Sequence, residues 1–299
     1  MSASLREVFE SAQQKPVAFV IKGSPDPDAI ASQVALLNYY EALGGEGKIY
    51  YEDSISHSSN KTMINILDIN MTELPLDQIQ EEFYVICDHC DWQLNTKSEC
   101  LLHIDHHKTD STIPENGHVS FIEYDAGACS SIVTRLLHEE DYFSTGSGIT
   151  SIATALVYGI KTDTDDLDSA REKDWDAMKI LSSYRNKDDL HKITRLRISP
   201  QTAEVLKTAM ANEKAEQNWL HSGVGFLSEN YRDSIAEVAD KMMERQGIDN
   251  VMVYAIIEKS DGVEVQGSVR SVDASFDLDS FCKNFSNNAG GRKFKGGFE

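Results

Sequence analysis

The stretch that decides the fold is "VAFVIKGSPDPDAIAS", from Val17 to Ser32. Its first five residues are apolar and rich in β-branched and aromatic side chains, which predicts a buried strand that ends before Gly23. A helical pattern begins around Asp26 and Asp28. Two carboxylates one residue apart at the end of a strand repel each other, so this pattern indicates that a cation binds there.

Further strands and helices alternate along the first two thirds of the chain, which predicts an α/β fold with a doubly wound, mostly parallel sheet. A long polar helix is predicted over 200–219, and a smaller α+β pattern follows it. We therefore predict a catalytic domain over residues 1–190, a helical linker over 191–222 and a second domain over 223–299. The predicted strands of the first domain are 17–21, 48–52, 83–87, 101–104 and 119–124.

The composition limits the classes of function. The chain has 299 residues, which favours two domains, and a formal net charge of −21. This charge repels polyanions, so we expect no binding of long nucleic acids. No apolar run is long enough for a membrane helix, and the N-terminus lacks the apolar centre of a signal peptide. Five irregularly spaced cysteines do not form a disulfide framework, so we expect a cytoplasmic protein without membrane association.

Acidic and imidazole side chains follow four apolar runs. In open parallel sheets, ligands bind at the carboxyl ends of the strands, so these side chains are predicted to converge. Converging carboxylates are costly unless cations neutralise them, and a mixed set of oxygen and nitrogen donors suits Mn²⁺ or Mg²⁺. We predict two ions that would activate a water and neutralise a phosphoryl group. The candidate residues are Asp26, Asp28, Asp88, Asp105, His106, His107 and Asp163.

Other interpretations of these residues exist. A single aspartate at a strand end is often only a helix cap. The spacing of a small zinc knuckle is found at Cys87, Cys90, Cys100 and His103. However, Cys87 and His103 fall inside strand-like runs, where they would be core residues. A redox pair at Cys87 and Cys90 is disfavoured because no helix N-terminus follows it.

The order of these motifs resembles the DHH phosphoesterase superfamily, named for its Asp-His-His motif, here Asp105–His107 in "LLHIDHHKTD". The stretches "GSPDPDAIAS", "ICDH" and "YGIKTDTDDL" resemble the family's first, second and fourth motifs. In the last third of the chain, "GSVRS" and "AGGRKFKGGF" resemble the DHH-associated domain. The resemblance covers nearly the whole chain, and the final segment matches more loosely than the others.

The resemblance implies a role for each metal ligand. Asp26 would bind the first ion, Asp28 the second, and Asp88 would bridge both. His106 and Asp163 would complete the second site.

It also implies groups that act on the substrate. His107 would lie near the scissile phosphate as an electrostatic stabiliser or general acid, and Asp105 would orient the imidazoles. The second domain would hold the terminal nucleotide or phosphate through guanidinium and backbone N–H groups. The residues implied for this role are Arg270, Ser271, Gly290, Gly291 and Arg292.

Two positions depart from the family pattern. Lys22 stands where the family has a histidine, and a protonated lysine cannot ligate a metal. Lys22 would instead pair with a phosphate oxygen, and His57 is our candidate for an additional ligand. Arg292 also replaces a family histidine, and it would hold phosphate strongly without acting as a base.

These features together predict a metal-dependent phosphodiesterase. It would hydrolyse short oligoribonucleotides or linear dinucleotides, such as pGpG or pApA, to mononucleotides by attack of a metal-bound hydroxide. Within the same superfamily, cleavage of cyclic dinucleotides or polyphosphate and removal of phosphate from pAp are alternatives. A catalytically weak nucleotide-binding regulatory protein is an alternative of a different class. A homodimer is the default expectation for the assembly.

Overall fold

The computed structural model describes residues 3–53, 55, 58–108, 119–194, 198–259, 262–286, 288–291 and 294–299. These residues form two compact units. Of the described residues, 3–55 and 59–194 belong to the first unit, and those from 198 onward belong to the second. In the described part of the chain, no helix is both long and apolar enough to cross a lipid bilayer.

The first unit contains a six-stranded sheet in the order β3-β2-β1-β4-β5-β6, and every neighbouring pair is parallel. The predicted α/β fold with a parallel sheet is confirmed. The strand order reverses between β1 and β4, which opens a crevice at their carboxyl ends where ligands of such sheets bind. The strands are β1 (Val17–Ile21), β2 (Gly47–Tyr51), β3 (Thr72–Glu73), β4 (Phe83–Cys87), β5 (Glu99–Asp105) and β6 (Val119–Ile122).

Eight helices connect and cover these strands in the described part of the first unit. The main core lies where α2, α4 and α6 pack on the sheet, with side chains such as Ile30, Ile132 and Leu156 fully buried. The helices are α1 (Leu5–Ser11), α2 (Pro27–Ala42), α3 (Ser58–Leu67), α4 (Cys129–Glu139), α5 (Tyr142–Thr145), α6 (Ile149–Asp163), α7 (Glu172–Leu181) and α8 (Lys187–Thr194).

The described part of the second unit is a mixed sheet in the order β11-β12-β10-β9-β8-β7 with three α-helices, which agrees with the predicted smaller α+β domain. Strands β8 and β9 are parallel, and the other neighbouring pairs are antiparallel. The elements are α9 (Pro200–Asn212), β7 (Lys214–Glu216), β8 (Trp219–Ser228), α10 (Ser234–Met243), β9 (Asn250–Lys259), β10 (Gly262–Ser271), α11 (Leu278–Lys283), β11 (Ala289–Gly291) and β12 (Lys295–Phe298).

The helix predicted over 200–219 is seven residues shorter in the structure, where α9 ends at Asn212. The Asn212 side chain donates to the carbonyl of Gly223 at 2.9 Å. The chain then turns at Gln217, which has a positive φ of 56°, and β7 pairs with β8. Cross-strand hydrogen bonds therefore replace helical ones in a segment whose composition favours a helix, because tertiary pairing outweighs a weak local preference.

Candidate metal centre

The predicted ligands come together at the carboxyl edge of the first sheet, at the point where the strand order reverses. Asp26 and Asp28 follow β1, Asp88 follows β4 and His106 follows β5. Asp163 differs, because it reaches the cluster from the C-terminal end of a helix, α6, that packs against α2. Three strand ends and one helix end therefore build the site.

His106 lies at the middle of the cluster. Its Nε2 atom is 3.2 Å from Asp88 Oδ1 and 3.1 Å from Asp163 Oδ2. His106 Nε2 and Asp88 Oδ1 are both buried, and neither makes a hydrogen bond of acceptable geometry with any described residue. The ligand atoms of Asp28, His106 and Asp163 lie within 4.8 Å of one another, and so do those of Asp88, His106 and His107. Buried polar atoms without partners are rare, so these atoms fit a divalent cation with oxygen and nitrogen ligands, such as Mn²⁺ or Mg²⁺.

Burial and mutual repulsion raise the pKa of the carboxyl groups in the cluster. Burial, aided by the charge of Asp28, holds the pKa of Asp88 well above its usual range. Burial and then the charge of Asp163 raise the pKa of Asp28 to about 7. The pKa of Asp26 is also raised, because its carboxyl group loses water even though the residue as a whole is exposed. Burial lowers the pKa of His106, but interactions with Asp163 and Asp88 outweigh this and raise it to about 11.

These shifts predict that the metal-free protein loses stability as the pH rises. Asp28 has a pKa of about 7 in the fold, against an ordinary value of 3.8, so the folded state binds more protons between these values. The contribution of Asp28 to the free energy of unfolding is therefore complete below about pH 4 and is lost by about pH 7. We expect urea unfolding in EDTA to show a lower midpoint at pH 7.5 than at pH 5, and added Mn²⁺ to reduce the difference. An equal decline in the variant Asp28→Asn would assign the effect to other groups.

Asp28 also has a structural role that the sequence did not indicate. Its Oδ2 accepts a hydrogen bond from the backbone N–H of Cys129 at 2.6 Å, and its Oδ1 accepts one from Ser130 at 2.8 Å. Helix α4 begins after Ala128, whose side chain cannot cap it. The carboxylate of Asp28 therefore caps the N-terminus of α4, where a negative charge also interacts favourably with the helix dipole.

Gly159 has no side chain, which allows α6 to lie close to Asp28 and Ser130. We predict that Gly159→Ala weakens metal binding. An added Cβ would lie 2.5 Å from Ser130 Oγ, which must shift, and its tight contact at 3.2 Å with Asp28 Oδ1 would press on the carboxylate. We expect a loss of about 1–3 kcal/mol in the free energy of unfolding and about tenfold weaker Mn²⁺ binding by calorimetry. Ala155→Gly, one turn earlier on α6, should lose stability without weakening Mn²⁺ binding. Unchanged Mn²⁺ affinity in Gly159→Ala would contradict the prediction.

The sequence does carry a signal for this position, because Gly159 is a glycine inside an apolar helical pattern.

His107 is held by Asp105. Asp105 Oδ1 lies 2.8 Å from His107 Nδ1 and accepts hydrogen bonds from the backbone N–H groups of His106 at 2.8 Å and His107 at 3.2 Å. Burial raises the pKa of Asp105, but its interactions with His107 outweigh this and lower it, so Asp105 is a carboxylate and Nδ1 of His107 is the donor. The His107 side chain is 39 % exposed, and its Nε2 is the nitrogen left to exchange a proton with a ligand.

Lys22 binds a neighbouring loop. Its ammonium group donates to Asp91 Oδ2 at 2.6 Å, to the Asp91 carbonyl at 3.2 Å and to the Gln93 carbonyl at 2.9 Å. These three contacts use all of its donors and fix the loop after β4. The predicted contact of Lys22 with a phosphate oxygen would require one of them to break, and it stays a prediction.

The candidate substrate-binding residues that the structure describes in the second unit lie on β10 and β11. Arg270 is 8 % exposed, and its Nε donates to Asp240 Oδ1 at 2.5 Å. The Oγ atom of the buried Ser271 accepts a hydrogen bond from the backbone N–H of Asp273 at 3.1 Å. These contacts describe where the two side chains lie, and their binding role stays a prediction.

The second unit has a cavity of about 410 Å³ next to β11, the strand that carries Gly290 and Gly291. Gly290 lines it together with Arg232, Gln266 and Ser268, and the backbone N–H of Gly291 donates to Asp279 Oδ1 at 3.0 Å. The lining also contains Asp233, which is 3.6 Å from the Arg232 guanidinium, and Glu299, so the cavity suits a polar ligand.

Some predicted residues lie elsewhere or outside the described part. Arg292 and His57 both fall outside the described residues. Cys87 is buried at the end of β4, and the ring of His103 in β5 contacts the carbonyl of His89 at 2.9 Å. Among the described residues, the groups that could hold a metal are those around His106, and they include no cysteine.

The chain is similar to known proteins over most of its length. It is 31 % identical over 280 residues to an uncharacterized protein of Methanocaldococcus jannaschii, an alignment that covers 91 % of this chain and 55 % of that protein. The chain therefore spans about half the length of this curated relative.

Two solved structures share the fold. An exopolyphosphatase-related protein from Bacteroides fragilis superposes with a TM-score of 0.73 at 18 % identity, covering 98 % of this chain and 89 % of that one. RecJ from Thermus thermophilus, solved in complex with Mn²⁺, superposes with a TM-score of 0.51 at 14 % identity, covering 98 % of this chain and 51 % of that one.

The family assignment rests on the part of the chain that carries the cluster. A family model described as the DHH family, N-terminal domain, matches residues 17–160. This range runs from the start of β1 to the last turn of α6, and it includes Asp26, Asp28, Asp88, His106 and the DHH motif itself. Residues 17–160 of this chain are therefore a DHH family N-terminal domain.

Proposed function

We propose that this protein is a metal-dependent phosphodiesterase that hydrolyses short oligoribonucleotides or linear dinucleotides, such as pGpG or pApA, to mononucleotides. Members of the DHH family are metal-dependent phosphoesterases or hydrolases. The observation that carries the proposal is the pair of buried atoms His106 Nε2 and Asp88 Oδ1, which lie 3.2 Å apart without a well-formed hydrogen bond and fit a cation among the carboxylates.

In this proposal, Asp28, Asp88, His106 and Asp163 hold one Mn²⁺ or Mg²⁺ ion, and Asp26 with Asp88 contributes to a second. Bound ions of this kind supply an acidified water as nucleophile and neutralise the charge of the phosphodiester. The raised pKa values of Asp28 and Asp88 agree with this role, because an ion would replace the protons that the cluster otherwise holds.

His107 and Asp105 supply the proton chemistry. The Asp105 carboxylate holds the Nδ1 proton of His107 and fixes the ring, so that a ring also protonated at Nε2 can donate that second proton to the oxygen that leaves the phosphorus and return to the neutral form. The same ring in its protonated form stabilises negative charge on the phosphate. Asp105 therefore acts as a positioning residue for His107.

The charge of the chain supports a short substrate. A net charge of −21 disfavours long polyanions, whereas a dinucleotide brings few phosphates. We propose that the terminal phosphate or nucleotide binds to Arg270, Ser271, Gly290, Gly291 and Arg292.

A product time course tests the proposal. The protein is incubated with Mn²⁺ and a panel of pGpG, pApA, cyclic dinucleotides, five-nucleotide RNA, pAp and polyphosphate, and products are separated by chromatography. We expect mononucleotides from pGpG or pApA at a rate at least a hundredfold above that in EDTA. Turnover confined to cyclic dinucleotides, pAp or polyphosphate would overturn the proposed substrate in favour of that alternative.

The regulatory alternative has one observation in its favour. Lys22 occupies the position of a family ligand, and its ammonium group is bound to Asp91 and Gln93. A nucleotide-binding protein without turnover would bind pGpG in calorimetry and release no product with Mn²⁺, Mg²⁺ or Co²⁺. The homodimer and the cytoplasmic location stay predictions.

A further inference from the structure

The loop after β6 lies beside the metal centre. Strand β6 pairs in parallel with β5, with Ile122 opposite Asp105, and the backbone N–H of Glu123 donates to the Asp105 carbonyl at 3.0 Å. The next residue, Tyr124, therefore leaves the sheet at the same edge as residues 106–107. Its side chain belongs to the exposed large hydrophobic groups of the described chain, at 43 %.

Contacts with the start of α7 hold this loop in place. The guanidinium of Arg171 donates to the carbonyls of Tyr124 and Ala126, the latter at 3.1 Å. The backbone N–H of Gly127 lies 3.0 Å from both carboxylate oxygens of Asp174. The polar backbone groups of the loop are thus bound toward α7, so the exposure of the Tyr124 ring belongs to an ordered loop rather than to a frayed one.

A second exposed aromatic ring lies on the same helix. Trp175 follows Arg171 by one helical turn, its backbone N–H donates to the Arg171 carbonyl at 3.1 Å, and it is 53 % exposed. Arg171 is the N-cap residue of α7, so this backbone hydrogen bond joins Trp175, in the first turn of the helix, to the residue whose guanidinium binds the Tyr124 loop. Among the described residues, no carboxylate forms an ion pair with Arg171, which leaves its positive charge available to an anion.

Two exposed aromatic rings and an uncompensated guanidinium are the groups on which nucleobases and phosphates bind in single-stranded nucleic acids. Stacking on aromatic rings is tolerant of base identity, because every base has a π-face. A polyphosphate substrate would gain nothing from the rings. The position of the loop beside His106 and His107 places such a platform where a nucleoside next to a scissile phosphate would lie.

We propose that Tyr124 and Trp175, with Arg171 between them, form a platform on which a base of the substrate stacks next to the metal centre. This inference rests on the proposed phosphodiesterase function and narrows it, because it makes the substrate a nucleotide with at least one accessible base. Tyr124 is the principal stacking residue, since its loop is bonded directly to the strand that carries the DHH motif.

The test compares pGpG with an analogue in which both bases are replaced by hydrogen. Kinetics with Mn²⁺ are measured for the wild-type chain, Tyr124→Ala, Tyr124→Phe and the control Phe226→Ala, which removes another exposed ring, one from the second unit. Tyr124→Ala should raise KM for pGpG about tenfold with little change in kcat, and Tyr124→Phe should restore KM, because the ring and not the hydroxyl stacks. KM for the abasic analogue should be the same in all four proteins.

Two results would overturn the platform. One is an unchanged KM for pGpG in Tyr124→Ala, and the other is an equal rise in KM for the abasic analogue, which would indicate a general distortion of the site.

A binding experiment tests the platform independently of the proposed reaction. GMP should quench tryptophan fluorescence in the metal-free wild-type protein, and Trp175→Phe should abolish most of the quenching. Quenching without hydrolysis of any diester would reject the phosphodiesterase and keep the platform, and absence of quenching would reject the platform.

Discussion

Replacing Asp88 by asparagine should abolish turnover and Mn²⁺ binding while leaving the metal-free protein at least as stable as the wild type. Asp88 is buried, its Oδ1 has no hydrogen-bond partner among the described residues, and its pKa is raised well above the usual range. In the absence of metal the neutral form is therefore preferred, and asparagine imitates it. We expect a loss of at least a thousandfold in the rate and a gain of about 1 kcal/mol in the free energy of unfolding in EDTA at pH 7.5.

The geometry makes this substitution conservative. Asp88 has a positive φ of 59°, a conformation that asparagine tolerates nearly as well as aspartate. The matched control is Glu204→Gln, which removes an exposed carboxylate from the second unit and should change neither property. Turnover by Asp88→Asn above a hundredth of the wild-type rate would remove Asp88 from the proposed metal centre.

Replacing Asp28 by alanine should instead destabilise the metal-free protein. Its carboxylate accepts the backbone N–H groups of Cys129 and Ser130 at the start of α4, and alanine would leave both buried donors without partners. We expect a loss of about 2–4 kcal/mol in the free energy of unfolding, measured by urea denaturation in EDTA, together with a large loss of Mn²⁺ affinity. Relief of the repulsion from Asp163 offsets part of this cost.

The comparison of the two aspartates is the sharper measurement. Both lie at the same cluster and both are proposed ligands, but only Asp28 has backbone donors as partners. Asp28→Ala and Asp88→Ala should therefore lose Mn²⁺ affinity alike and differ in stability by at least 2 kcal/mol without metal. Equal stability of the two variants would show that the α4 cap contributes little.

Much of the site could be predicted because its residues stand in short motifs next to recognisable strands. The run Val17–Ile21 ends a short turn before Asp26, and β4 ends directly before Asp88. A parallel sheet brings the carboxyl ends of its strands to one edge, so local patterns were sufficient to group Asp26, Asp88 and His106. The α/β class follows from the same alternation of strands and helices.

Asp163 was among the predicted ligands, but the sequence did not indicate the helix packing that brings it to the cluster or the role of Gly159 in that packing. Asp163 follows no strand, and it reaches His106 only because α6 packs closely against α2. That approach depends on the missing side chain of Gly159, which is far from Asp28 in the sequence. Neighbours of this kind are set by helix packing, which short sequence patterns do not encode.

The amino-acid sequence alone determined the class of fold, the order of the motifs and the kinds of ligand, because hydrophobic periodicity and residue chemistry are local properties. Only the tertiary structure decided that Asp28 caps α4, that Lys22 is bound to the loop at Asp91, and that Tyr124 lies beside the DHH motif. Each of these is a contact between residues distant in the chain, and its formation depends on how the packed core places their backbones.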